Sequence, residues 1–308
     1  MERAVKAVRD HGYQIVIGSC MDGESHVSAP AGKRAEELTA MLTDPSIRAV
    51  IPPRGGETAI DLLPLLDWNS IAAAEPTWFI GFSDISTLLL PLTLRTGIAT
   101  LHTNNLLNTP YLRSGQLLTW LDIIASPAGA SFAQSPPGQP GARWADDRVY
   151  PGLPGPGNDG RWIRLDGGGS VDVAGRLVGG CVETLRHVAG TPYGDVAAFA
   201  ASHVPEGLIV YVEVAGDDAL AVCRSLHGMR LAGFFSEARA VIVARTLAPD
   251  SPTLTQHDAV LDALGVLGVP IIAGVGCGHV PPYVPMVNGA LGRLRVGASL
   301  TSLTQTLC

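Results

Sequence analysis

Charged residues are scarce in this sequence, and the basic ones form no block. Asp, Glu, Lys and Arg make up 16% of the 308 residues, and the formal net charge is −7. Because binding to a nucleic-acid backbone depends on clustered positive charge, a nucleic acid polymer is a poor candidate partner. Apolar residues account for 46% of the chain, which is typical of a packed globular protein and excludes general disorder. A small substrate or a partner protein fits this composition better.

Apolar runs suited to a signal peptide or a membrane span are also missing. The amino terminus is charged and amphipathic, and no apolar core follows it. Residues 263–292 carry no charged side chain but contain four prolines and repeated glycines, so we expect strand and loop there and no spanning helix. The five cysteines are dispersed without Cys-x-x-Cys spacing, which favours reduced thiols. We therefore predict a cytoplasmic protein without membrane contact.

Strand and helix patterns alternate through residues 1–125. The predicted helices are 2–10, 31–42, 58–66 and 85–95, the last closed by Gly97. The predicted strands are 13–17, 47–51, 77–80 and 98–101. This alternation predicts an α/β domain, a Rossmann-like parallel sheet flanked by helices.

Composition changes at residues 126–174, where prolines and glycines are interleaved. We interpret this segment as a long interdomain connection that carries Trp144 and Trp162. A second α/β domain is predicted over residues 175–308, and the active site is expected at the interface of the two domains. Its predicted strands are 208–213, 240–244 and 270–273, and its predicted helices are 181–189, 217–231 and 256–267.

Ser83 lies between a predicted strand and a predicted helix, in Gly81-Phe82-Ser83-Asp84. Open α/β sheets place their active sites at the carboxyl ends of strands, and the Asp84 backbone N–H, at a helix amino terminus, could stabilise an oxyanion. On the local pattern alone, an N-cap role is the more common explanation. Ile85 also replaces the second glycine of the Gly-x-Ser-x-Gly elbow of α/β-hydrolases.

Gly55 and Gly56 follow the predicted strand 47–51. Their backbone could approach a ligand closely and supply a second oxyanion donor. A turn that needs positive φ explains them equally well.

Two titratable residues lie near strand ends in the second domain. Glu213 closes an apolar strand, where a carboxylate is costly unless it is paired, so it either has a structural partner or serves a site. His279 lies in a Gly/Pro loop and is either a structural hydrogen-bonding residue or a base. Cys277 is two residues from His279, a spacing that rarely lets two side chains meet in a loop.

Motifs for metals and nucleotide cofactors are weak. The histidines show neither His-x-x-x-His nor His-Glu-x-x-His spacing. The glycine run at 167–169 lacks the strand and helix that flank a phosphate-binding loop. We predict no metal and no cofactor.

Taken together, motifs spread from about residue 30 to residue 295 resemble the LD-carboxypeptidase family of serine peptidases, including its branch of microcin C self-immunity peptidases. The matching segments are Arg54-Gly55-Gly56, 62–67, Gly81-Phe82-Ser83-Asp84, 175–180, 190–193, 211–213, 230–235 and Gly278-His279.

The resemblance implies a Ser–His–Glu triad divided between two domains. Ser83 would be the nucleophile, His279 the general base, and Glu213 the residue that orients the imidazole. The oxyanion hole maps to the Gly56 and Asp84 backbone N–H groups. The family also implies a homodimer.

The resemblance leaves two substrate classes. LD-carboxypeptidases release the terminal D-alanine of a murein tetrapeptide, whereas the microcin branch cleaves a bond between a peptide or amino acid and a nucleotide. A long interdomain segment with Trp144 and Trp162 favours the second class, although both tryptophans could simply pack at the interface. Arg54, beside Gly55, and Arg164 are candidates to bind a substrate carboxylate or phosphate, or are exposed surface residues. A non-catalytic module that binds a small ligand in the same cleft is the alternative outside enzymes.

Several positions depart from the family pattern. Phe82 replaces a more usual Tyr, Cys181 stands where many members have Asn, and His102-Thr103-Asn104-Asn105 replaces a strand end commonly followed by Gly-Pro. The chain also opens directly on its first predicted helix, where the family has an additional strand, so we expect either a late start or a sheet with one strand fewer.

Overall fold

The computed structural model describes residues 1–21, 25–109, 118–136, 160–280 and 283–307. Its strands are β1 Ala49–Val50, β2 Trp78–Gly81, β3 Thr100–His102, β4 Ser131–Gln134, β5 Ile163–Arg164, β6 Val171–Cys181, β7 Leu208–Glu213, β8 Ala238–Ala244, β9 Ile271–Val275, β10 Met286–Asn288, β11 Leu291–Val296 and β12 Thr301–Thr306. Its α-helices are α1 Glu2–Asp10, α2 Ala31–Thr43, α3 Trp68–Ala73, α4 Ser86–Thr96, α5 Trp120–Ile124, α6 Val182–Leu185, α7 Val196–His203, α8 Ala219–Leu231 and α9 Gln256–Leu264. Within these residues, no helix combines the length and apolar character needed to cross a bilayer.

The first sheet has the order β1-β2-β3-β10. Strands β1, β2 and β3 are parallel, and β10 returns from the second half of the chain to pair antiparallel with β3. Adjacent residues of β2 face opposite sides: Phe79 packs among α2, α3 and α4, and Ile80 packs with residues of α1 and α5. Helices therefore cover both faces, which confirms the predicted parallel sheet flanked by helices.

The second sheet has the order β4-β12-β11-β6-β7-β8-β9-β5. Its centre, β6 to β9, is parallel, and the flanking pairs are antiparallel. All six residues of β7 are buried. Ile209 and Tyr211 face one apolar cluster, while Val210 and Val212 face the cluster built with α8 and α9. Burial on both faces is expected for a central parallel strand, and it explains why the sequence of β7 is a nearly continuous apolar run.

Several elements differ from the sequence expectation. The segment 13–17 forms no strand, since Val16 and Ile17 are 71% and 59% exposed and only Tyr13 and Ile15 pack against the core. The predicted strand 47–51 shortens to β1, and the predicted helix 58–66 becomes a short 3-10 helix, Ala59–Leu62, followed by α3. Strands β4 and β5 lie within the segment interpreted as a connection, and they pair with β12 and β9.

Candidate active site

The turn after β2 places Ser83 at the carboxyl end of a parallel strand. Ser83 opens a short 3-10 helix, Ser83–Ile85, that leads directly into α4. Its φ is +63°, a left-handed conformation that costs a non-glycine residue about 1 kcal/mol or more. Such strain persists only where surrounding contacts enforce it, and it concentrates at functional sites.

Asn105 holds this turn in place. Its buried side-chain Oδ1 accepts a hydrogen bond from the Phe82 N–H at 3.2 Å. A Cβ on Gly81 would lie 2.7 Å from the same oxygen, so only glycine lets the strand end approach Asn105 this closely. The sequence analysis identified Asn105 only as a departure from the family pattern and assigned it no role.

The loop with Gly55 and Gly56 lies against the serine. A Cβ built on Gly55 would stand 3.2 Å from Ser83 Oγ, and one on Gly56 would stand 3.3 Å from Asp84 Oδ2. The buried Asp84 carboxylate accepts the Ala59 N–H at 2.9 Å, which ties this loop to the turn. Burial raises the pKa of Asp84, although the hydrogen bonds from the loop backbone oppose that effect. The Gly55 backbone therefore lies against the Ser83 side chain, and Asp84 holds the two segments together.

Glu213 and His279 form a hydrogen-bonded pair across the second sheet. His279 Nδ1 lies 2.7 Å from Glu213 Oε2, and the glutamate is fully buried while the His279 side chain is 27% exposed. A Cβ on Gly278 would lie 2.6 Å from Glu213 Oε2, so the glycine before the histidine allows the loop to reach the carboxylate. Among the described residues, the ion-pair partners of Glu213 are histidines and not an arginine.

Phe82 connects this pair to the serine turn. Its ring centroid lies 4.7 Å from that of His279 and 6.4 Å from that of Tyr283. The residue next to Ser83 therefore packs on the imidazole, although Ser83 and His279 share no hydrogen bond among the described contacts. Contacts to a catalytic base are often loose without substrate and tighten when it binds.

Electrostatics favour an ionised glutamate beside a basic imidazole. Burial would raise the pKa of Glu213, but the imidazoles of His102 and His279 outweigh it and lower that pKa to about 2. His102 Nε2 is 3.8 Å from Glu213 Oε1, beyond hydrogen-bond length, so we attribute the shift chiefly to the 2.7 Å contact with His279. Burial lowers the pKa of His279, and the negative charge of Glu213 more than reverses this and raises it.

The two cysteines near the Glu213–His279 pair have unreactive thiols. Cys277 and Cys181 are 3% and 2% exposed. Burial and then the charge of Glu213 raise the pKa of both thiols well above the ordinary value. A thiol held protonated is a weak nucleophile, so a Cys277–His279 pair has no support.

The remaining predicted binding residues lie in different environments. Arg54 is exposed beside Gly55. Trp162 is 6% exposed and packs in the core of the second sheet, which favours the packing alternative. Arg164 donates to Asp166 and to the Gly169 carbonyl, so its guanidinium is already engaged. Trp144 lies outside the described residues.

A group of metal-type ligands lies on α8 and α9. Cys223 Sγ, His227 Nε2 and an Asp262 carboxylate oxygen are within 4.8 Å of one another. Asp262 Oδ2 is 3.2 Å from the thiol and 2.9 Å from the imidazole. The thiol and the imidazole therefore share one carboxylate oxygen, and hydrogen bonds hold the three side chains together.

Two family models match this chain. The model of the LD-carboxypeptidase N-terminal domain matches residues 1–103, and the model of the C-terminal domain matches residues 174–294. The first match contains Ser83 and the second contains both Glu213 and His279.

Individual proteins show the same similarity. A predicted carboxypeptidase of Vibrio cholerae is 25% identical over 95% of this chain and 86% of its own length. The murein tetrapeptide carboxypeptidase of Pseudomonas aeruginosa is 29% identical over 73% of this chain and 65% of its own. The microcin C7 self-immunity protein, solved in complex with aspartyl sulfamoyl adenosine, shares the fold with a TM-score of 0.78 and 20% identity over 99% of this chain and 90% of its own.

Proposed function

Because the chain belongs to the LD-carboxypeptidase family and is a peptidase, we propose that it cleaves a small amide substrate with Ser83, His279 and Glu213 as its triad. The observation that carries this proposal is the buried 2.7 Å contact between Glu213 Oε2 and His279 Nδ1, with Phe82 packing the same imidazole beside Ser83. A non-catalytic module that binds a small ligand in the same cleft is the alternative, and it predicts no hydrolysis by the unmodified protein.

Each residue has a distinct task in the proposed reaction. Ser83 Oγ attacks the substrate carbonyl while His279 Nε2 takes its proton, and Glu213 holds the opposite ring nitrogen and stabilises the imidazolium. The Gly56 and Asp84 N–H groups donate to the oxyanion. His279 then returns the proton to the leaving amine. Water next attacks the acyl-serine carbonyl while His279 Nε2 takes a proton from it, and that proton passes to Ser83 Oγ as the acid product leaves.

Replacement of the nucleophile tests the chemistry. Ser83→Ala should lower kcat by at least about a thousandfold with an unchanged fold, since only the attacking oxygen is lost. Ser202→Ala, at an exposed position on α7, is the matched control and should retain full activity. Undiminished hydrolysis by Ser83→Ala would rule the proposal out.

We propose an aminoacyl- or peptidyl-nucleotide as the substrate, as in the microcin branch. The support is a related fold solved with aspartyl sulfamoyl adenosine and the interdomain segment that carries Trp144. A murein tetrapeptide is the second candidate, because a murein tetrapeptide carboxypeptidase is 29% identical and Trp162 is buried in the core.

A paired assay separates the two substrates. Purified protein is offered an L,D-tetrapeptide and an aminoacyl sulfamoyl adenosine under identical conditions, with Ser83→Ala as the blank for each. A kcat/KM at least about a hundredfold higher for the nucleotide supports the first candidate, and the reverse ratio supports the second.

Two further properties accompany this proposal, namely a cytoplasmic location, which the sequence favours, and a homodimer, which the family resemblance implies. Light scattering coupled to gel filtration measures the second directly. A mass near twice the 32.1 kDa of one chain is the expected result, and a mass near 32.1 kDa would exclude the dimer.

A further inference from the structure

A second histidine faces the glutamate from the opposite side. His102 ends β3 and is 1% exposed. Neither of its ring nitrogens has a hydrogen-bond partner among the described residues, and the same holds for Glu213 Oε1. Buried polar atoms are nearly always paired, so three such atoms at one place require an explanation.

The geometry brings two of these atoms together. His102 Nε2 and Glu213 Oε1 are 3.8 Å apart. A water that bridged them with two hydrogen bonds of about 2.8 Å each would need an angle at its oxygen well below the tetrahedral value. The gap exceeds a direct hydrogen bond by about 1 Å, so a small movement of either side chain closes it.

The surroundings aim the imidazole at the carboxylate. His102 pairs with Gly81 of β2 and Met286 of β10, so its backbone is fixed on both sides. The Tyr211 ring packs edge-on at a centroid distance of 5.3 Å. His102 comes from the first sheet and Glu213 from the second, so their contact spans the interface between the sheets.

We propose that His102 is a positioning residue for the reaction, which donates from Nε2–H to Glu213 Oε1 and holds the carboxylate in line with His279. This inference rests on the proposed triad. Glu213 then uses one oxygen for each histidine, and its negative charge is shared between two donors.

This sharing sets the basicity of His279. When His279 loses its proton, the buried Glu213 carboxylate loses the positive charge of that imidazolium, and a donor at Oε1 stabilises the resulting state. Removal of the donor therefore disfavours deprotonation and should raise the pKa of His279. The other titratable groups around the pair, which stay constant in this comparison, are Cys181, Glu183, Tyr211, Arg245, Cys277 and Tyr283.

The test compares two substitutions in the Ser83→Ala background, titrated by imidazole NMR. His102→Phe keeps a ring against Tyr211 but removes the donor, and His102→Leu replaces it if the Phe variant does not fold. His102→Gln restores an amide N–H near the position of Nε2. Comparison with a His279→Gln spectrum identifies the His279 signal.

We expect the His279 pKa to rise in the donor-free variant and to return toward its original value in His102→Gln. An unchanged pKa in the donor-free variant, or a Gln variant that matches it, would overturn the proposal. In the Ser83-containing protein, kcat/KM at neutral pH should fall at least about tenfold in the donor-free variant and recover with Gln. The NMR result does not depend on which residue is the nucleophile, so it stays distinct from a failure of the Ser83→Ala assay.

Discussion

The protonation state of His279 decides the pH range in which the proposed triad works. Burial lowers its pKa, but Glu213 reverses this and raises it above the ordinary 6.5. A general base must be unprotonated, so kcat/KM should climb as the pH rises through this higher value. A pH–rate profile between about pH 5 and pH 9 checks the sign. An acidic limb centred at or below 6.5 would contradict it.

Gly278 controls the approach of His279 to Glu213. A Cβ added at Gly278 would lie 2.6 Å from Glu213 Oε2 and 2.7 Å from Glu213 Cβ. Gly278→Ala should therefore separate the pair, lowering kcat/KM about a hundredfold and the free energy of unfolding by about 1–3 kcal/mol.

A glycine-to-alanine substitution at another position is the control for Gly278→Ala. Gly228→Ala, in α8 with open space at its Cβ position, should keep full activity. Steady-state kinetics and urea unfolding on both variants separate the local effect from a general cost of the substitution. Equal activity in the two variants would show that the Glu213–His279 contact tolerates the extra methyl group.

The residues of the proposed triad could be identified from the sequence only through the family resemblance. Taken singly, Ser83 resembled a helix cap, and Glu213 and His279 resembled structural residues. His102 and Asn105 were noted only as departures from the family, because a sequence does not show which buried polar atoms will face each other. A polar side chain at the end of an apolar strand was the available signal for His102, as it was for Glu213.

At the scale of elements, Gly97 ends α4 through its backbone conformation. Its φ is +73° and its N–H donates to the Thr93 carbonyl. A Cβ there would meet nothing within 4 Å, so Gly97→Ala should cost about 1 kcal/mol of unfolding free energy from conformation alone. Activity should be unchanged.

Gly32 lies in the first turn of α2, and Gly32→Ala is expected to stabilise the protein instead of destabilising it. Its Cβ position is also open, and alanine is favoured over glycine in a helix by up to about 1 kcal/mol. Thermal or urea unfolding of both variants measures the difference. A Gly97→Ala protein as stable as Gly32→Ala would refute the capping argument.

Elements with a strong local signal could be predicted closely. The helix over residues 2–10 and strand β7 coincide with the prediction, and α4 begins within one residue of it. Strands β11 and β12 were missed because Arg293, Thr304 and similar residues give a half-polar pattern, which is typical of strands with one exposed face. The segment 13–17 has strand-like residues but no ladder partner among the described residues, since pairing is a long-range property.

At the scale of the molecule, strand β10 connects the two parts of the chain that were predicted as separate domains. It belongs to the second half of the chain but pairs with β3 of the first sheet. Local periodicity carries no information about such a crossover, so the sequence predicted two domains, 1–125 and 175–308, without indicating a strand shared between their sheets. The shared strand helps to explain how the rings of Phe82 and His279, from different halves, come to pack 4.7 Å apart.

Asn288 at the end of β10 links the sheets by hydrogen bonds. The side chain is fully buried, and its Oδ1 accepts from the Tyr211 hydroxyl at 2.9 Å and the Gly179 N–H at 3.0 Å. Its Nδ2 donates to Thr100 Oγ1 at 3.3 Å. One amide thus connects β3 of the first sheet to β6 and β7 of the second.

Asn288→Ala should destabilise the whole protein, because it leaves the Tyr211 O–H and the Gly179 N–H buried without an acceptor. We expect a loss of about 2–4 kcal/mol in the free energy of unfolding. Urea unfolding followed by fluorescence and circular dichroism measures this loss and shows whether both sheets still unfold together. Asn69→Ala, at an exposed position of α3, should change stability by less than about 0.5 kcal/mol. A similarly small effect at Asn288 would mean that apolar packing alone holds the two sheets together.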